Sequence, residues 1–302
     1  MKNNELNLEI LRLERLGWNS QSAFRFLPSN VVNSQDHLNL ISFPNEAYKI
    51  DKDNQDLNGF WSRFRAQSIF DQLEDYNVNC LWEVGSGDGS ASIPLSTKGM
   101  NVIAVEPIRD GAEYTEKNGI TSFCCFLEEL DLPNASIEAI GLFDVLEHLE
   151  DSRLLLNEVR RCLSDQGLLI ITVPMYMFLF SDFDSKIGHF RRYSKRVIEN
   201  ELRSAGFRIE RFQYMFSFLV VPAYFIRRVL PKGRKVTSYG NLHQSMNRQL
   251  RISQSLIPSL ALTALYKFEK WLKPKFGLSS LIVAKKFTTN EELIDFRSTL
   301  RD

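Results

Sequence analysis

Short apolar runs alternate with amphipathic segments from residue 80 onward. The runs predict strands over 80–84, 101–106, 121–126, 138–143 and 167–173. The segments between them predict helices over 89–98, 109–118 and 152–163. Strands that alternate with helices form a parallel sheet covered by helices on both faces. The pattern therefore predicts an α/β fold in which a ligand binds at the carboxyl ends of the strands.

After this alternation the pattern changes. A helix over 195–204 and a strand over 207–213 come next, but the following convincing strand lies only at 280–286. The stretch between those two strands is apolar over 214–230 and again over 256–272. We therefore divide the chain into four parts: an N-terminal extension over 1–58, a core over 59–213, an apolar helical insertion over 214–279, and a closing strand with a C-terminal tail over 280–302.

The N-terminal extension is mostly polar and predicted to be irregular. Its one apolar-charged segment, near residues 6–16, has leucines spaced as on one face of a helix, and it carries no catalytic signal. A second helix is predicted at the start of the core, where Phe60, Trp61 and Phe64 fall on neighbouring turns. We expect that helix to pack against the sheet edge or the mouth of the ligand pocket.

The bulk composition narrows the range of partners. Basic and acidic residues both number 37 among the 302, so the formal net charge is zero and no global field attracts nucleic acid. The four cysteines form no C-x-x-C pair, which favours buried thiols in a reducing compartment. The N-terminus lacks an apolar signal region, and no run reaches about 18 apolar residues. We expect a cytoplasmic protein.

The first predicted strand ends in an acid and runs into a loop with glycine at every second position. Glu83 is followed by Gly85, Gly87 and Gly89, and the next strand ends in Glu106. Glycine permits positive φ and lets a ligand approach the bare backbone. An acid at the end of the second strand is placed to accept hydrogen bonds from ribose hydroxyls. The order of these pieces predicts a cradle for a nucleotide-like ligand.

Two cofactor classes use this architecture. The dinucleotide fingerprint G-x-G-x-x-G would place its third glycine at Ser90. The E-x-G-x-G-x-G run found here instead resembles the S-adenosylmethionine loop of class I methyltransferases. In that family the first acid helps to hold the methionine amino group, the loop backbone approaches the methionyl end, and the second acid holds the ribose. The resemblance therefore assigns Glu83, the three glycines and Glu106 to S-adenosylmethionine.

An acid–histidine motif follows the fourth strand. Asp144, Glu147 and His148 resemble the D-x-x-E-H segment of small-molecule methyltransferases of the same superfamily, where it lies close to the sulfonium and the acceptor. We expect Asp144 to face the cofactor. His148 is a candidate general base, because histidine titrates near neutral pH. The alternative is that Glu147 and His148 cap the next helix and line the pocket passively.

The same residues raise the question of a metal ion. Some RNA and quinone methyltransferases of the superfamily hold Mg²⁺ with a similar motif, and a matching set here would be Asp144, Glu147, His148 and His189. Oxygen ligands suit Mg²⁺, but histidine is a poor ligand for it, and Asp144 is shorter than the usual glutamate. We expect no metal site.

Polar side chains crowd into a later loop, which should overhang the pocket. His189 is a second candidate base, and Arg191, Arg192 and Tyr193 are candidates for binding the acceptor. Arginine suits two-pronged capture of a carboxylate or phosphate. The alternative is a structural clasp in which the arginines pair with nearby acids: Asp182, Asp184 or Glu147.

The run from Phe60 to Phe207 resembles one bacterial branch of class I methyltransferases, the type 11/12 kind, which is often associated with cell-envelope or polysaccharide gene clusters. The shared pieces are the F-W-x-x-F/R-x-R helix, L-W-E-V-G-S-G-D-G, F-D-V-L-E-H-L-E-D, T-V-P and G-H-F-R-R-Y ahead of A-G-F. The resemblance implies a Rossmann-like fold with a mostly parallel seven-stranded sheet. It also places Glu128 where an acid accepts the adenine amino group.

The resemblance implies transfer of a methyl group from S-adenosylmethionine to a small-molecule, sugar or lipid-linked acceptor, at an oxygen atom. Alternative functions are an NAD-dependent oxidoreductase or epimerase, against which Ser90 argues, and a non-catalytic partner protein, against which the intact loop and both acids argue. A nucleic-acid methyltransferase is disfavoured by the balanced charge and by the absence of an N-P-P-Y-type tetrapeptide after the fourth strand.

The insertion has two interpretations. It could form a helical subdomain that covers the active site or makes a homodimer contact. It could instead lie on a membrane or grip a lipid tail through 214–235, where a basic cluster borders the apolar segment. That cluster consists of Arg227, Arg228, Lys232, Arg234 and Lys235. Pro222 and the short length argue against a spanning helix, so any membrane contact is expected to be peripheral, on the inner face.

Overall fold

The computed structural model describes residues 2–23, 26–27, 60–225, 227 and 259–287. Within these residues seven strands form one sheet: β1 (Cys80–Val84), β2 (Asn101–Val105), β3 (Thr121–Phe123), β4 (Ile137–Phe143), β5 (Leu163–Pro174), β6 (Phe207–Met215) and β7 (Ser279–Lys286). Their order across the sheet is β3-β2-β1-β4-β5-β7-β6. Only β7 runs antiparallel to its neighbours. The predicted α/β fold with a mostly parallel seven-stranded sheet is confirmed.

The helices of the described residues lie between and around these strands. They are α1 (Lys2–Arg15), α2 (Ser20–Ala23), α3 (Phe60–Asp75), α4 (Ser92–Thr97), α5 (Arg109–Lys117), α6 (Arg153–Cys162), α7 (Asp182–Lys186), α8 (Lys195–Ser204), α9 (Val220–Tyr224) and α10 (Ser259–Leu272). The core helices appear in the predicted order, with ends shifted by a few residues. The start of α4 moves to Ser92 because the glycine loop turns back on itself, with the N–H of Gly89 donating to the Ser86 carbonyl at 2.9 Å.

The strand ends also shift for local reasons. β3 ends at Phe123 rather than at residue 126, because the N–H of Cys124 leaves the sheet and donates to the carbonyl of Phe26 at 2.6 Å. β5 begins at Leu163, directly after α6, and reaches its regular pairing with β4 only after a register shift. The carboxyl ends of the parallel strands still meet at one edge, which is where the predicted site residues lie.

Helices and the N-terminal segment bury both faces of the sheet. On one face the ring of Trp82 stacks on Phe123 with centroids 6.2 Å apart. On the other face Leu81 belongs to a cluster with Phe64 and Leu73 of α3. Because successive strand residues point to opposite faces and both faces are covered, the parallel strands read as nearly continuous apolar runs.

The first helix belongs to the core. A helix near residues 6–16 was expected and is present as α1, but its burial was not foreseen. Leu13 is fully buried, and the Trp18 ring packs edge-on against Trp82 at 6.3 Å. The indole N–H of Trp18 donates to the carbonyl of Leu130 at 2.8 Å. This part of the chain thus covers one face of the sheet, while 28–59 lie outside the described residues.

The chain between β6 and β7 packs back on α3 where the structure describes it. The hydroxyl groups of Tyr266 in α10 and Ser68 in α3 lie 2.9 Å apart. The buried carboxylate of Glu269 accepts the backbone N–H groups of Phe216 and Ser217 at 2.6 and 2.5 Å. This geometry fits the interpretation of a covering subdomain. Of the predicted basic cluster, all but Arg227 lie outside the described residues.

No helix among those that the structure describes combines the length and the apolarity needed to cross a membrane.

Candidate functional site

The glycine loop between β1 and α4 adopts the left-handed backbone that its sequence predicts. The φ angles of Gly85, Gly87 and Gly89 are 75°, 56° and 73°. A Cβ atom at Gly85 would lie 2.8 Å from the side chain of Val145. Gly111, on α5, approaches the loop even more closely, since a Cβ there would lie 2.5 Å from the Gly87 carbonyl oxygen. Sequence reasoning missed Gly111, because its role is visible only when α5 packs on the loop.

Glu106 ties this loop to the end of β2. One carboxyl oxygen accepts the N–H of Gly87 at 2.7 Å, and the other accepts the N–H of Ile108 at 2.9 Å. Burial raises the pKa of Glu106 to about 7, against the effect of those two hydrogen bonds. Each carboxyl oxygen has a further lone pair, so the group can also receive hydroxyl donors from a ligand. The predicted acid therefore stands at the predicted place.

Glu83 lies beneath the loop. Its side chain is buried on β1 and accepts a hydrogen bond from the hydroxyl of Ser92. Burial raises the pKa of Glu83 to about 8, although Ser92 and the charge of Arg65 act in the opposite direction. Because β1 and β2 are parallel neighbours, with Val84 opposite Val105, both acids reach the same edge of the sheet.

Arg65 joins the site from α3, and the sequence analysis missed it. The guanidinium is buried, donates to a carboxyl oxygen of Asp144, and donates from Nη2 to the hydroxyl of Ser90 at 2.8 Å. Its Nε is buried without a hydrogen-bond partner. The available signal was a single arginine in an otherwise buried turn between Phe64 and Ala66. Arg65 thus bridges the glycine loop to the end of β4.

Asp144 occupies the sheet edge, as expected, but its carboxylate faces Arg65. Its other oxygen accepts the hydroxyl of Thr172 at 3.1 Å. The residue has a φ of 57°, which is strained for a side chain larger than glycine. Strain of this kind at a ligand-binding edge persists only where the surrounding contacts hold it, here the ion pair with Arg65. Contact between Asp144 and a cofactor stays a prediction.

Glu128 lies on a short 3₁₀ turn, Leu127–Leu130, just after β3. Its side chain is exposed at the same end of the sheet, whereas the neighbouring Glu129 folds back to accept the N–H of Phe126 at 2.8 Å. The predicted adenine contact of Glu128 stays a prediction.

The acid–histidine motif and the later loop meet, as the sequence suggested. The rings of His148 and His189 lie edge to face with centroids 4.6 Å apart. Nε2 of His189 is 3.9 Å from Oε1 of Glu147. Glu147 is fully buried and neither of its carboxyl oxygens has a hydrogen-bond partner. Burial raises the pKa of Glu147 well above its usual range.

The two histidines differ in their electrostatic surroundings. Burial, followed by the nearby His189, lowers the pKa of His148 to about 3, although a hydrogen bond to the backbone of Gly188 acts in the opposite direction. A histidine with so low a pKa accepts a proton poorly near neutral pH. His148 is therefore poorly suited to act as the base, and the role of His189 as a base stays a prediction.

The buried carboxylate of Asp184 lies on the Nδ1 side of the His189 ring. Oδ1 of Asp184 lies 3.3 Å from Nδ1 of His189. The same oxygen accepts hydrogen bonds from Nε and Nη2 of Arg192 at 2.8 and 2.5 Å. Its other oxygen accepts Nη1 of Arg227 at 3.0 Å. Burial alone would raise the pKa of Asp184, but its contacts with the histidine and the two arginines lower it well below the usual range. Asp184 is therefore an ionised group inside the protein.

The structure does not present the three predicted acceptor-binding side chains to a ligand. Arg192 is buried in its pair with Asp184, which is the structural clasp considered as the alternative. Arg191 donates from Nη2 to the carbonyl oxygens of Leu149 and Glu150 at 3.0 and 2.5 Å. Tyr193 is fully buried in the core. Binding of the acceptor by these three side chains stays a prediction.

Within the part of the chain that the structure describes, one group of side chains has the spacing of metal ligands. The candidate atoms of Glu147, His148 and His189 all lie within 4.8 Å of one another. Asp144, the fourth member of the set considered from the sequence, is instead held by Arg65. The expectation that the protein holds no metal stays a prediction.

Large apolar side chains surround the loop that carries His189. Met177, Phe178 and Phe190 are about half exposed, and the ring of Phe178 lies 6.4 Å from that of Tyr224 in α9. The backbone N–H of Phe190 donates to the carbonyl of Glu147 at 2.8 Å, so Phe190 lies next to the acid–histidine motif. We call Met177, Phe178, Phe190 and Tyr224 the apolar rim.

Comparison with known proteins gives a consistent picture. A family model described as a methyltransferase domain matches residues 53–211. A Mycobacterium tuberculosis (strain H37Rv) protein named a probable S-adenosylmethionine-dependent methyltransferase is 27% identical over 157 residues, which cover 50% of this chain and 57% of that relative. A Mycolicibacterium smegmatis protein with the same description is 30% identical over 86 residues, covering 28% and 34%. The chain thus spans about half the length, or less, of these curated relatives.

Two solved structures show more distant likeness. A SAM-dependent methyltransferase from Thermotoga maritima has a TM-score of 0.46 at 16% identity, covering 76% of this chain and 90% of its own. One from Archaeoglobus fulgidus has a TM-score of 0.46 at 15% identity, covering 75% and 98%.

The buried Glu83 predicts a particular dependence of stability on pH. Its pKa rises from 4.5 to about 8 on folding, so the folded chain keeps a proton that the unfolded chain releases between these pH values. The contribution of protonated Glu83 to the free energy of unfolding is complete below pH 4.5 and is lost as the pH rises toward 8. A Glu83→Gln variant cannot ionise, so its stability relative to the wild type should grow by on the order of 5 kcal/mol across this range.

Thermal unfolding of both proteins across the same range of pH measures this difference. A stability gap between Glu83→Gln and the wild type that stays constant with pH would show that Glu83 ionises normally in the folded protein.

Proposed function

Since the chain belongs to the methyltransferase-domain family, we propose that it transfers a methyl group from S-adenosylmethionine to an oxygen of a small-molecule, sugar or lipid-linked acceptor. The observation that carries this proposal is the glycine loop, closed by Glu106, with Glu83 beneath it and Arg65 beside it. The matching family model supports the reaction, and the histidine pair beside a buried carboxyl supports an acceptor that carries a proton.

The residues at the sheet edge fit the proposed cofactor. Arg65 has a buried Nε–H without a partner, and that donor suits the methionine carboxylate. Glu83 offers a buried acid to the methionine ammonium, whose positive charge would favour the ionised carboxylate. Glu106 offers its remaining lone pairs to the ribose hydroxyls. When bound, the cofactor supplies a methyl group activated by a positively charged sulfur.

Two further residues complete the proposed cofactor site. Glu128, exposed after β3, is placed to accept the adenine amino group. Asp144 acts by holding Arg65 in place, since its carboxylate is engaged by that guanidinium rather than turned to open space. The loop glycines let the cofactor approach the backbone without a side chain in between.

The acceptor side lies around His148, His189 and Glu147. Nε2 of His189 and Oε1 of Glu147 are 3.9 Å apart, which leaves room for one acceptor oxygen within hydrogen-bonding distance of both. Glu147, whose carboxyl has no hydrogen-bond partner, can accept a hydrogen bond from that oxygen, or donate one when it is protonated. His189 can receive its proton. Holding the acceptor in line with the methyl group supplies much of the rate.

The apolar rim supports an acceptor with an apolar portion. Phe190 follows His189 directly, and the other three side chains of the rim are also partly exposed, so a lipid or other apolar group attached to the acceptor would cover them while its polar end reaches His189. Peripheral contact with the inner face of the membrane through 214–235, a cytoplasmic location and a homodimer contact complete this proposal. The zero net charge disfavours nucleic acid as the acceptor.

The role of Arg65 can be separated from that of the rest of the pocket. Arg65→Met should lower the affinity for S-adenosylhomocysteine by about 10-fold to 100-fold, because a charge-assisted hydrogen bond to the carboxylate is lost. The affinity for 5′-methylthioadenosine, which lacks the amino-acid end, should hardly change. Calorimetric titration of both ligands measures this, with Glu113→Gln on the surface of α5 as a control. Equal losses for both ligands would place Arg65 outside the carboxylate site.

The acceptor class can be tested with S-adenosylmethionine labelled in its methyl group. Incubated with bacterial envelope extract, the wild type should transfer label to the lipid or small-molecule fraction, and His189→Asn should not, because it lacks the proton acceptor. Fractionation followed by scintillation counting gives the answer. Label recovered solely in protein or nucleic acid would contradict the proposal, and Glu113→Gln again provides the matched control.

A further inference from the structure

The histidine that faces the acceptor is flanked by two carboxyl groups of opposite character. On one side the carboxyl of Glu147 has no hydrogen-bond partner, and burial raises its pKa well above the usual range. On the other side Asp184 is ionised, because Arg192 and Arg227 both pair with it. His189 therefore lies between a buried carboxyl without a hydrogen-bond partner and an ionised carboxylate that can accept a hydrogen bond.

We propose that Asp184 is a positioning residue, which holds His189 in the Nδ1–H tautomer so that the lone pair of Nε2 faces Glu147 and the acceptor. This inference rests on the proposed function only for the identity of the group that gives up its proton.

The local backbone places the two residues for this contact. His189 follows the last turn of α7, and its backbone N–H donates to the carbonyl of Asp184 at 2.9 Å. The turn brings Nδ1 to 3.3 Å from the Asp184 carboxylate and leaves Nε2 directed at Glu147. A neutral imidazole carries a hydrogen on only one of its two nitrogens, and a hydrogen bond at one nitrogen decides which tautomer is present.

The Nδ1 contact is bent as well as long, since Nδ1 does not meet the geometry of a full hydrogen bond. Contacts that orient a base commonly shorten when substrate is bound. A negative charge behind the ring also becomes more favourable once the ring is protonated. Asp184 thus contributes twice: it selects the tautomer before the reaction and stabilises the imidazolium after it.

The proton balance of the step is simple. The O–H bond of the acceptor breaks, its electron pair stays on oxygen and forms the new bond to the methyl carbon, and the pair of the broken carbon–sulfur bond stays on the donor sulfur. The released proton goes to Nε2 of His189. The resulting positive charge faces Asp184, whose own charge Arg192 and Arg227 already share.

Arg227 links this arrangement to the chain that follows β6. Besides Asp184, its Nη1 donates to the carbonyl of Leu179 at 2.9 Å. The residue lies in the predicted insertion, so that segment supplies one of the two cations that hold Asp184. Removing Arg227 should therefore weaken the preference of His189 for the Nδ1–H tautomer. The contacts described for Arg227 are with Leu179 and Asp184 rather than with the histidine ring.

The tautomer can be read without cofactor or acceptor. The chain has four histidines, so selective ¹⁵N-histidine labelling gives a simple long-range ¹H–¹⁵N spectrum, and His189→Asn identifies the signal of interest. In the wild type Nδ1 should carry the proton and Nε2 should show the shift of an unprotonated nitrogen. Asp184→Asn should remove this preference, because an amide can donate to Nδ1 and stabilise the other tautomer.

Two further variants make the result decisive. Arg227→Gln keeps Asp184 and should give a mixture of tautomers, which tests the same contact if Asp184→Asn does not fold. Asp182→Asn removes an exposed carboxylate from the same helix and should leave the His189 signal unchanged. A wild-type His189 protonated at Nε2, or a tautomer unchanged in Asp184→Asn and Arg227→Gln, would overturn the inference. A failure to bind S-adenosylmethionine would bear on the proposed function alone.

Discussion

The site depends on the two hydrogen bonds that Glu106 accepts. Through them the end of β2 holds the N–H of Gly87 in the loop after β1, and the N–H of Ile108 at the start of α5. The loop can take this path because its glycines adopt positive φ, and Gly111 lets α5 approach the Gly87 carbonyl. A buried acid with a raised pKa is unfavourable for the folded protein by itself, so its position is best explained by what it organises.

The sequence was sufficient for features that are local in the chain. The alternation of strands and helices, the glycine loop and both acids at strand ends follow from periodicity and from residue type over a few positions. The contributions of Trp18, Arg65 and Gly111 did not follow, because each depends on a contact with a distant part of the chain. Arg65 reaches Asp144 across 79 positions, and Trp18 reaches Leu130 across 112.

The loop before α8 shows most clearly what the sequence alone could not predict. A crowded set of donors, His189 to Tyr193, looked like an acceptor site, but only the direction of each side chain decides what it binds. Arg192 and Tyr193 turn inward, Arg191 donates to backbone carbonyls, and His189 faces Glu147. Charge explains why Arg192 turns inward, because the buried carboxylate of Asp184 needs nearby cations and pairs with Arg192 and Arg227.

The most direct test of this account is calorimetric titration of S-adenosylhomocysteine into the wild type and into Glu106→Ala. The account predicts binding by the wild type at about micromolar affinity, and a loss of at least about 100-fold in the variant, because both the ribose acceptor and the bonds that shape the loop are removed. Circular dichroism would confirm that the variant is folded. Equal affinity in the two proteins, or no binding by the wild type, would contradict the claim that this loop holds the methyl donor.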